Sequence, residues 1–252
     1  MRFTSLGSGS QGNATLISAG DQLLLIDCGF SALELERRMA RRGCHPSDLS
    51  AILVTHEHAD HVAGVGVLSR KYDLPVWLTR GTLQAVRDNR FHEIELIDHT
   101  PFEFGSLRVT PFPVPHDARQ PCQFRFDLGR HRLGLLTDSG SITPHIEAVL
   151  EGCSTLMLEF NYDPQMLAEG PYPPALQRRI GSDWGHLSNH QARDFLSQRA
   201  GPTPNRLIAM HISEKNNSPE RVRACLDTAL GATDCDTLIA SQHDGFDWIT
   251  VE

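Results

Sequence analysis

Apolar residues fall along this chain in short dense runs separated by turn residues and by stretches of helical spacing. Leu23-Leu24-Leu25-Ile26, Ala51-Ile52-Leu53-Val54, Thr155-Leu156-Met157-Leu158 and Leu207-Ile208-Ala209-Met210 are four-residue blocks bounded by polar positions, the pattern of buried strands. Pro75–Leu78, Ile94–Ile97 and Leu107–Pro115 read as further extended segments, as do Thr237–Ala240 and Trp248–Val251 near the end. Gln123–Asp127 and Leu133–Leu136 flank Gly129-Arg130, a hairpin signal. Helices are predicted over Ser31–Arg42, about 62–72, 82–89, 144–151, 191–199 and 219–230. Ser31 with Glu34 three residues on suggests a capping box, Gly43 a C-terminal stop, and Ser188 or Asn189 a later cap. The stretch 163–180 holds Pro164, Pro171, Pro173 and Pro174, which forbid one long helix. It reads as an irregular insertion or substrate-facing lid ending in Arg178-Arg179. The whole alternation predicts an α/β protein built of two βα-rich halves.

Size and composition narrow this little further. With 252 residues, 40% hydrophobic and 21% charged, the chain can bury one large core, so residues 1–252 are read as a single domain. No apolar run approaches the roughly 20 residues of a membrane-spanning helix, and Met1–Leu6 soon meets Gly7-Ser8-Gly9-Ser10 rather than a signal-peptide core. A cytoplasmic setting without membrane partners is expected. Six scattered cysteines with no CxxC pair are expected to be buried free thiols. The formal net charge of −8 argues against a protein that coats nucleic acid over its whole surface, but leaves room for a local basic groove.

The chemistry concentrates in Thr55-His56-Glu57-His58-Ala59-Asp60-His61, directly behind a buried strand. On an extended loop His56 and His58 project to one side, while Asp60 and His61 can face a second point as the chain turns. Nitrogen donors at one point and a nitrogen plus an oxygen at another suit two adjacent transition-metal ions. A solvated polar loop is the competing reading. The cluster is not His-Glu-x-x-His, because Asp60 stands at the fifth position and the segment follows a strand. The glycine-rich run Leu6–Asn13 lacks the lysine and the following helix of a phosphate loop, and reads as a turn between strands.

His56-x-His58-x-Asp60-His61 after a strand resembles the signature of the metallo-β-lactamase superfamily. That resemblance implies an αββα four-layer sandwich and places the remaining ligands at strand ends. His116, delivered by the proline-punctuated run before it, would join His56 and His58 on the first metal. His211 would join Asp60 and His61 on the second, and Asp138 in Thr137-Asp138-Ser139-Gly140 would bridge the two. Asp27 would support the metal loop from behind; a plain strand-end turn is its competing reading. The phosphodiesterase branch of the superfamily carries a non-ligand histidine in a Gly-His-Ser-type loop partnered by a Glu. Here these are His186 as general acid and Glu159 as its orienter, with Asp60 the third residue expected to serve catalysis. Arg178 and Arg179 would meet a phosphate backbone if their segment folds over the site; two ordinary surface arginines are the alternative.

Within the superfamily the chain is most similar to the YycJ/WalJ type. The shared stretches run in order through Gly7–Asn13, Thr55–His61, Thr137–Gly140, Gly185-His186-Leu187-Ser188-Asn189 and His211–Asn217. This resemblance implies a dinuclear phosphodiesterase using a metal-bridging hydroxide and cutting DNA as a 5′-to-3′ exonuclease. Two divalent ions are expected, zinc or manganese or iron, because imidazole and carboxylate suit all three. A small-molecule metallohydrolase acting on a cyclic phosphodiester, thioester or lactone is the alternative, and a binding protein with structural metals a third. Oligomeric state stays open.

Overall fold

The computed structural model describes residues 1–199 and 201–252. The first half of the chain forms β1 (Arg2–Gly7), β2 (Ala14–Ala19), β3 (Gln22–Ile26), α1 (Ala32–Arg41), β4 (Ala51–Leu53), α2 (Ala59–Val62), α3 (Val65–Tyr72), β5 (Pro75–Thr79), α4 (Arg80–Ala85) and β6 (Glu93–Ile97). The second half forms β7 (Phe102–Phe104), β8 (Leu107–Pro113), β9 (Cys122–Leu128), β10 (His131–Leu136), α5 (Pro144–Leu150), β11 (Thr155–Glu159), α6 (Pro164–Glu169), α7 (Pro174–Ile180), α8 (Asn189–Gln198), β12 (Arg206–Met210), α9 (Pro219–Leu230), β13 (Asp236–Ile239) and β14 (Phe246–Thr250).

Two seven-stranded sheets result, ordered β14-β1-β2-β3-β4-β5-β6 and β13-β12-β11-β10-β9-β8-β7. In the first, β3 through β6 run parallel and the other pairs antiparallel; in the second, β10 through β13 run parallel. Every parallel connection within a sheet leaves room for a helix on the outer face.

Three apolar clusters define the layers. Phe3, Ile17, Leu24 and Leu53 of the first sheet pack against Phe124, Phe126, Met157 and Ile208 of the second, so the sheets meet face to face. Leu16, Leu25 and Ile52 point the other way, onto Leu35 and Met39 of α1 and Leu68 of α3. Leu156, Leu158 and Leu207 do the same against α5, α8 and α9 through Ile146, Phe195 and Leu226. The order helix, sheet, sheet, helix follows, and explains why the strands read as unbroken apolar runs: neighbouring residues on one strand are buried on opposite faces.

Several sequence expectations are adjusted. Position in the chain puts the Trp248–Val251 strand with the second half, but β14 pairs antiparallel with β1, Arg2 opposite Thr250 and Phe3 opposite Ile249, with Phe246 edge-on to Phe3 at 5.7 Å. A strand's own pattern does not name its partner. The helix expected over 62–72 is broken at Gly64, where a Cβ would lie 2.2 Å from the Phe30 carbonyl oxygen and 2.5 Å from Cys28 Sγ. The break frees α2 as a separate turn carrying Asp60 and His61. The helix expected over 82–89 stops at Ala85 because Val86 turns extended (ψ 139°) and Asp88 pairs with Arg70 at 2.9 Å.

Ser31 caps α1 through the Glu34 amide, but the Glu34 carboxylate reaches forward to Arg38 Nε at 2.8 Å instead of closing a capping box. A full box forms at Ser188 and Gln191. The stretch 163–180 is more ordered than its prolines suggest: Pro164 and Pro174 each occupy the first turn of a short helix, where a missing N–H costs nothing. Among the described residues all six cysteines are free, but only Cys28, Cys122 and Cys153 are buried as expected, Cys44, Cys225 and Cys235 being half-buried nearer the surface; no helix is long and apolar enough to cross a membrane.

Candidate metal centre

The residues expected in the metal centre lie at the ends of β3, β4, β10, β11 and β12, on α2, or in the loops after β8 and α7, on one rim of the sandwich. Three of them adopt left-handed backbone: Asp27 (φ 61°), Asp138 (φ 53°) and His211 (φ 54°). Each directly follows or lies within two residues of a strand's end, and the reversal turns its side chain out of the sheet. A non-glycine residue held there costs on the order of 1–3 kcal/mol, and such strain gathers at functional sites.

One donor atom from each of His56, His58 and His116 lies within 4.8 Å of the others, and the same holds for Asp60, His61 and His211. Asp138 joins a group with His56 and His61 and another with His211. Its Oδ2 lies 3.4 Å from His61 Nε2 and its Oδ1 3.4 Å from His211 Nδ1, one oxygen toward each neighbour. All seven side chains expected as ligands are therefore brought together, although they span residues 56 to 211.

The outer hydrogen bonds decide which nitrogen each imidazole offers. His116 Nδ1 lies 2.8 Å from the Gly185 carbonyl oxygen, which can only accept, so Nδ1 carries hydrogen and Nε2 keeps its lone pair. His61 Nδ1 is 2.8 Å from Asp27 Oδ2 and His211 Nδ1 is 3.0 Å from Glu159 Oε1, leaving Nε2 on both. Asp27 also accepts from the Thr55 amide and hydroxyl, each at 2.8 Å; the same hydroxyl lies 3.0 Å from His56 Nδ1. His56 Nε2, His211 Nε2 and Asp138 Oδ2 are buried with no hydrogen-bond partner among the described residues. Buried polar atoms are rarely left so. Three orphaned donors, aimed together and backed by carboxylates or a hydroxyl, are what divalent cations require.

The charge balance points the same way. Burial draws the His56 imidazole well below its usual range, with His61 adding to the effect. Burial also opposes charge on His211, yet Asp138, Asp60 and Glu159 overcome it and push the ring up to about 10; Asp138, Asp60 and Asp27 likewise carry His61 well above its usual value. For Asp138, burial favours the neutral acid but His211 and His61 hold it well below the carboxylate range. The pocket thus gathers carboxylates that demand compensating positive charge. Cys28 is no ligand: burial raises its thiol to about 12.

His186 stands beside this cluster, with Nδ1 2.8 Å from Glu159 Oε1 and 3.6 Å from Asp138 Oδ1. Glu159 is fully buried. Its Oε2 accepts the Ser139 and Leu187 amides at 3.0 Å each, and its Oε1 meets both His186 and His211. Burial alone would keep this acid neutral; His186 and these hydrogen bonds outweigh it and hold the carboxyl at about 2. Glu159 and His186 also fall within ligand distance of Asp138 and His211, but their facing atoms are already spent on each other.

A cavity of about 350 Å³ opens over the cluster, lined by His58, Asp60, Asp138, His186 and His211 on one side and by Tyr172, Leu176, Arg179 and Ile180 on the other. Of the two arginines marked in the sequence, Arg179 lines this cavity and pairs with Asp117, whereas Arg178 does not line it. Sequence reasoning missed several supports. Asn13 donates its amide to the Asp60 carbonyl oxygen at 2.8 Å and brings Nδ2 to 3.1 Å from His61 Nε2. Ser8 Oγ accepts the His211 amide at 2.8 Å, and Asn161 Nδ2 donates to the His211 carbonyl oxygen at 2.9 Å. The glycine-rich run Gly7–Asn13, read as a turn, is thus a clamp on both halves of the centre. Gly29 allows the approach, since a Cβ there would stand 1.8 Å from the Asp60 carbonyl oxygen.

Comparison with known proteins agrees with this arrangement. A family model described as a beta-lactamase superfamily domain matches residues 23–212. The exodeoxyribonuclease YycJ of Bacillus anthracis is 34% identical over 242 residues, covering 91% of this chain and 89% of that protein. The exodeoxyribonuclease WalJ of Streptococcus pneumoniae is 32% identical over 240 residues, covering 92% and 89%. Among solved structures, the metallo-beta-lactamase fold protein YhfI of Bacillus subtilis superposes with a TM-score of 0.76 at 18% identity, covering 98% of each chain. A four-layer sandwich with its histidines and carboxylates on one rim, and a sequence aligned almost end to end with these relatives, make this chain a member of the beta-lactamase superfamily with the metallo-β-lactamase fold, in the group of YycJ and WalJ.

Proposed function

We propose that this chain is a dinuclear metal-dependent phosphodiesterase that hydrolyses DNA as a 5′-to-3′ exonuclease. His56, His58 and His116 would hold one ion, and Asp60, His61 and His211 the other, with Asp138 shared; zinc, manganese and iron all suit this donor set. When bound, such a pair supplies an activated water and neutralises charge on a phosphoryl oxygen. The observation that carries the nuclease reading is His186. It borders the cavity, belongs to neither ligand trio, and is tethered by a buried carboxylate through one nitrogen only. That leaves Nε2 for the leaving group.

Glu159 keeps the His186 Nδ1–H pointed at itself, so the proton delivered to the departing alkoxide comes from Nε2. Asp60 shapes the cavity wall and, with Asp138, presents the negative charge that cations must balance. Arg179 can exchange Asp117 for a phosphate of the bound strand, a role that Arg178, outside the cavity, does not share. The segment 163–180 supplies the cavity's far wall, which fits the reading of a substrate-facing cover. That the relatives at 34% and 32% identity are named exodeoxyribonucleases favours DNA over a small ester, and free thiols fit a cytoplasmic setting.

End-labelled DNA duplexes incubated with Mn²⁺ or Zn²⁺ test this. Stepwise release of nucleotides from the 5′ end, abolished by a chelator, is expected. Turnover confined to lactones, thioesters or cyclic phosphodiesters, with DNA left intact by metal-loaded protein, would replace the nuclease by the small-molecule alternative.

A further inference from the structure

The turn between α7 and His186 exposes the most accessible large apolar side chain among the described residues: Trp184, at 60%. An exposed tryptophan alone says little; its placement says more. Arg179 and Ile180, five and four residues before it, line the cavity, and so do Gly185 and His186 directly after it. The Cα atoms of Trp184 and His186 can be no more than about 7 Å apart, so the turn that carries the exposed indole adjoins the cavity wall on the side of the proposed proton donor, although Trp184 itself does not line the cavity.

The backbone beneath Trp184 is tightly held. Gly185 N donates to the Ser182 carbonyl oxygen at 2.9 Å and His186 N to that of Ile180 at 3.0 Å. The Gly185 carbonyl accepts from His116. A Cβ on Gly185 would meet the Ile180 carbonyl oxygen at 2.1 Å, and one on Gly140, beside Asp138, would meet the Asp183 carbonyl carbon at 2.3 Å and the Trp184 amide nitrogen at 2.4 Å. Two glycines thus let the turn lie directly on the loop of the expected bridging carboxylate. Among the described residues no aromatic ring or cation stacks on the indole. A rigid mount carrying a free, flat, apolar face beside a phosphodiester site has one economical occupant.

We infer that Trp184 is a stacking platform for a nucleobase on the leaving-group side of the scissile phosphate. The inference rests on the nuclease reading above and adds the part of the substrate recognised there. Stacking on an aromatic face contributes roughly 1–3 kcal/mol per base and tolerates any base, which suits an exonuclease that must advance through all sequences. Trp184 touches no reacting atom, so its effect belongs in binding.

The test compares wild type with Trp184→Ala and Trp184→Phe on a single-stranded oligodeoxynucleotide, on the same strand with abasic sites, and on methyl p-nitrophenyl phosphate, a phosphodiester with no base. The alanine variant should raise KM for the oligonucleotide about 5- to 150-fold, the equivalent of that stacking energy, with the abasic strand and the small diester nearly unaffected. The phenylalanine variant should recover most of the loss. In chelator, the base-bearing strand should quench tryptophan fluorescence in wild type and much less in Trp184→Phe. An unchanged KM in Trp184→Ala, or equal losses on substrates with and without bases, would overturn the platform. A shift in oligomeric state with intact DNA binding would overturn it too, and assign the indole to a contact between copies. Wild-type protein that binds and cleaves no DNA would instead remove the nuclease reading itself.

Discussion

Glu159 illustrates how much a single side chain can organise. It receives two backbone amides on one oxygen and two imidazoles on the other, so it positions the proposed acid and a proposed ligand together. Replacing His186 by Ala should lower kcat on DNA by about 10²–10⁴ while the metal content of the protein stays unchanged. A p-nitrophenyl ester, whose leaving group needs no proton, should suffer far less. Equal loss on both substrates in steady-state assays would deny His186 that role. Glu159→Gln should do more: with His211 released as well, metal affinity should fall about 10–100-fold, read by calorimetry or by metal content after dialysis. At this scale the sequence was informative wherever a residue type is rare and chemically specific. His56, His58, Asp60 and His61 stood out by their density, and Asp138, His186 and His211 through the family resemblance; Thr55, Asn13 and Asn161 did not stand out as supports, because hydroxyls and amides are common in loops and only their contacts distinguish them.

α7 is the element whose role changed most between sequence and structure. Its prolines suggested an irregular stretch, yet it is a helix with no buried residue that walls the cavity with Leu176, Arg179 and Ile180. Arg178 and Arg179 are adjacent in sequence, but consecutive residues of a helix point about 100° apart, so one faces the cavity and its neighbour does not. Arg179→Ala should raise KM for DNA about 10- to 100-fold, from the loss of a charge-assisted contact of about 1.5–3 kcal/mol, and should reduce the salt dependence of binding by about one phosphate contact. Arg178→Ala should change neither appreciably. A binding assay across a salt series decides, and identical behaviour of the two variants would remove α7 from the substrate path. A second element-scale device is the close packing of the 28–30 turn on α2. Gly29→Ala should force apart Gly29 and the Asp60 carbonyl, lowering both melting temperature and the metal content of the refolded protein.

The whole molecule is balanced around an excess of buried carboxylate. His211 is held at about 10, above the unfolded value of about 6.5. A raised folded pKa contributes stability fully present below about pH 6.5 and lost as pH climbs through about 10. Metal-free protein should therefore melt at progressively lower temperature across that interval. Metal must displace this proton, and that of His61, so binding should release protons at neutral pH and weaken as pH falls. Calorimetry in buffers of different ionisation enthalpy measures the release directly; metal uptake without any would contradict the assignment. Removing metal at high pH should cost more stability than at pH 6, because protonated imidazoles then no longer supply the compensating charge.

What the amino-acid sequence determined alone is local: buried strands announced by apolar runs, helices by caps and periodicity, and ligand types by their density behind one strand. Those signals come from neighbours along the chain, and they gave the α/β alternation and the His56–His61 cluster; the four-layer sandwich and the expected convergence of His116, Asp138 and His211 came from the resemblance to the metallo-β-lactamase superfamily. The tertiary structure decided which strand closes the first sheet, which arginine meets the cavity, that a glycine-rich turn clamps two loops about 50 and 200 residues away, and that Trp184 stands exposed in the turn that leads into the cavity wall at Gly185 and His186. Each depends on contacts between residues remote in sequence, where burial, register and the space left by a missing Cβ are set by the packing of two sheets and not by any segment on its own.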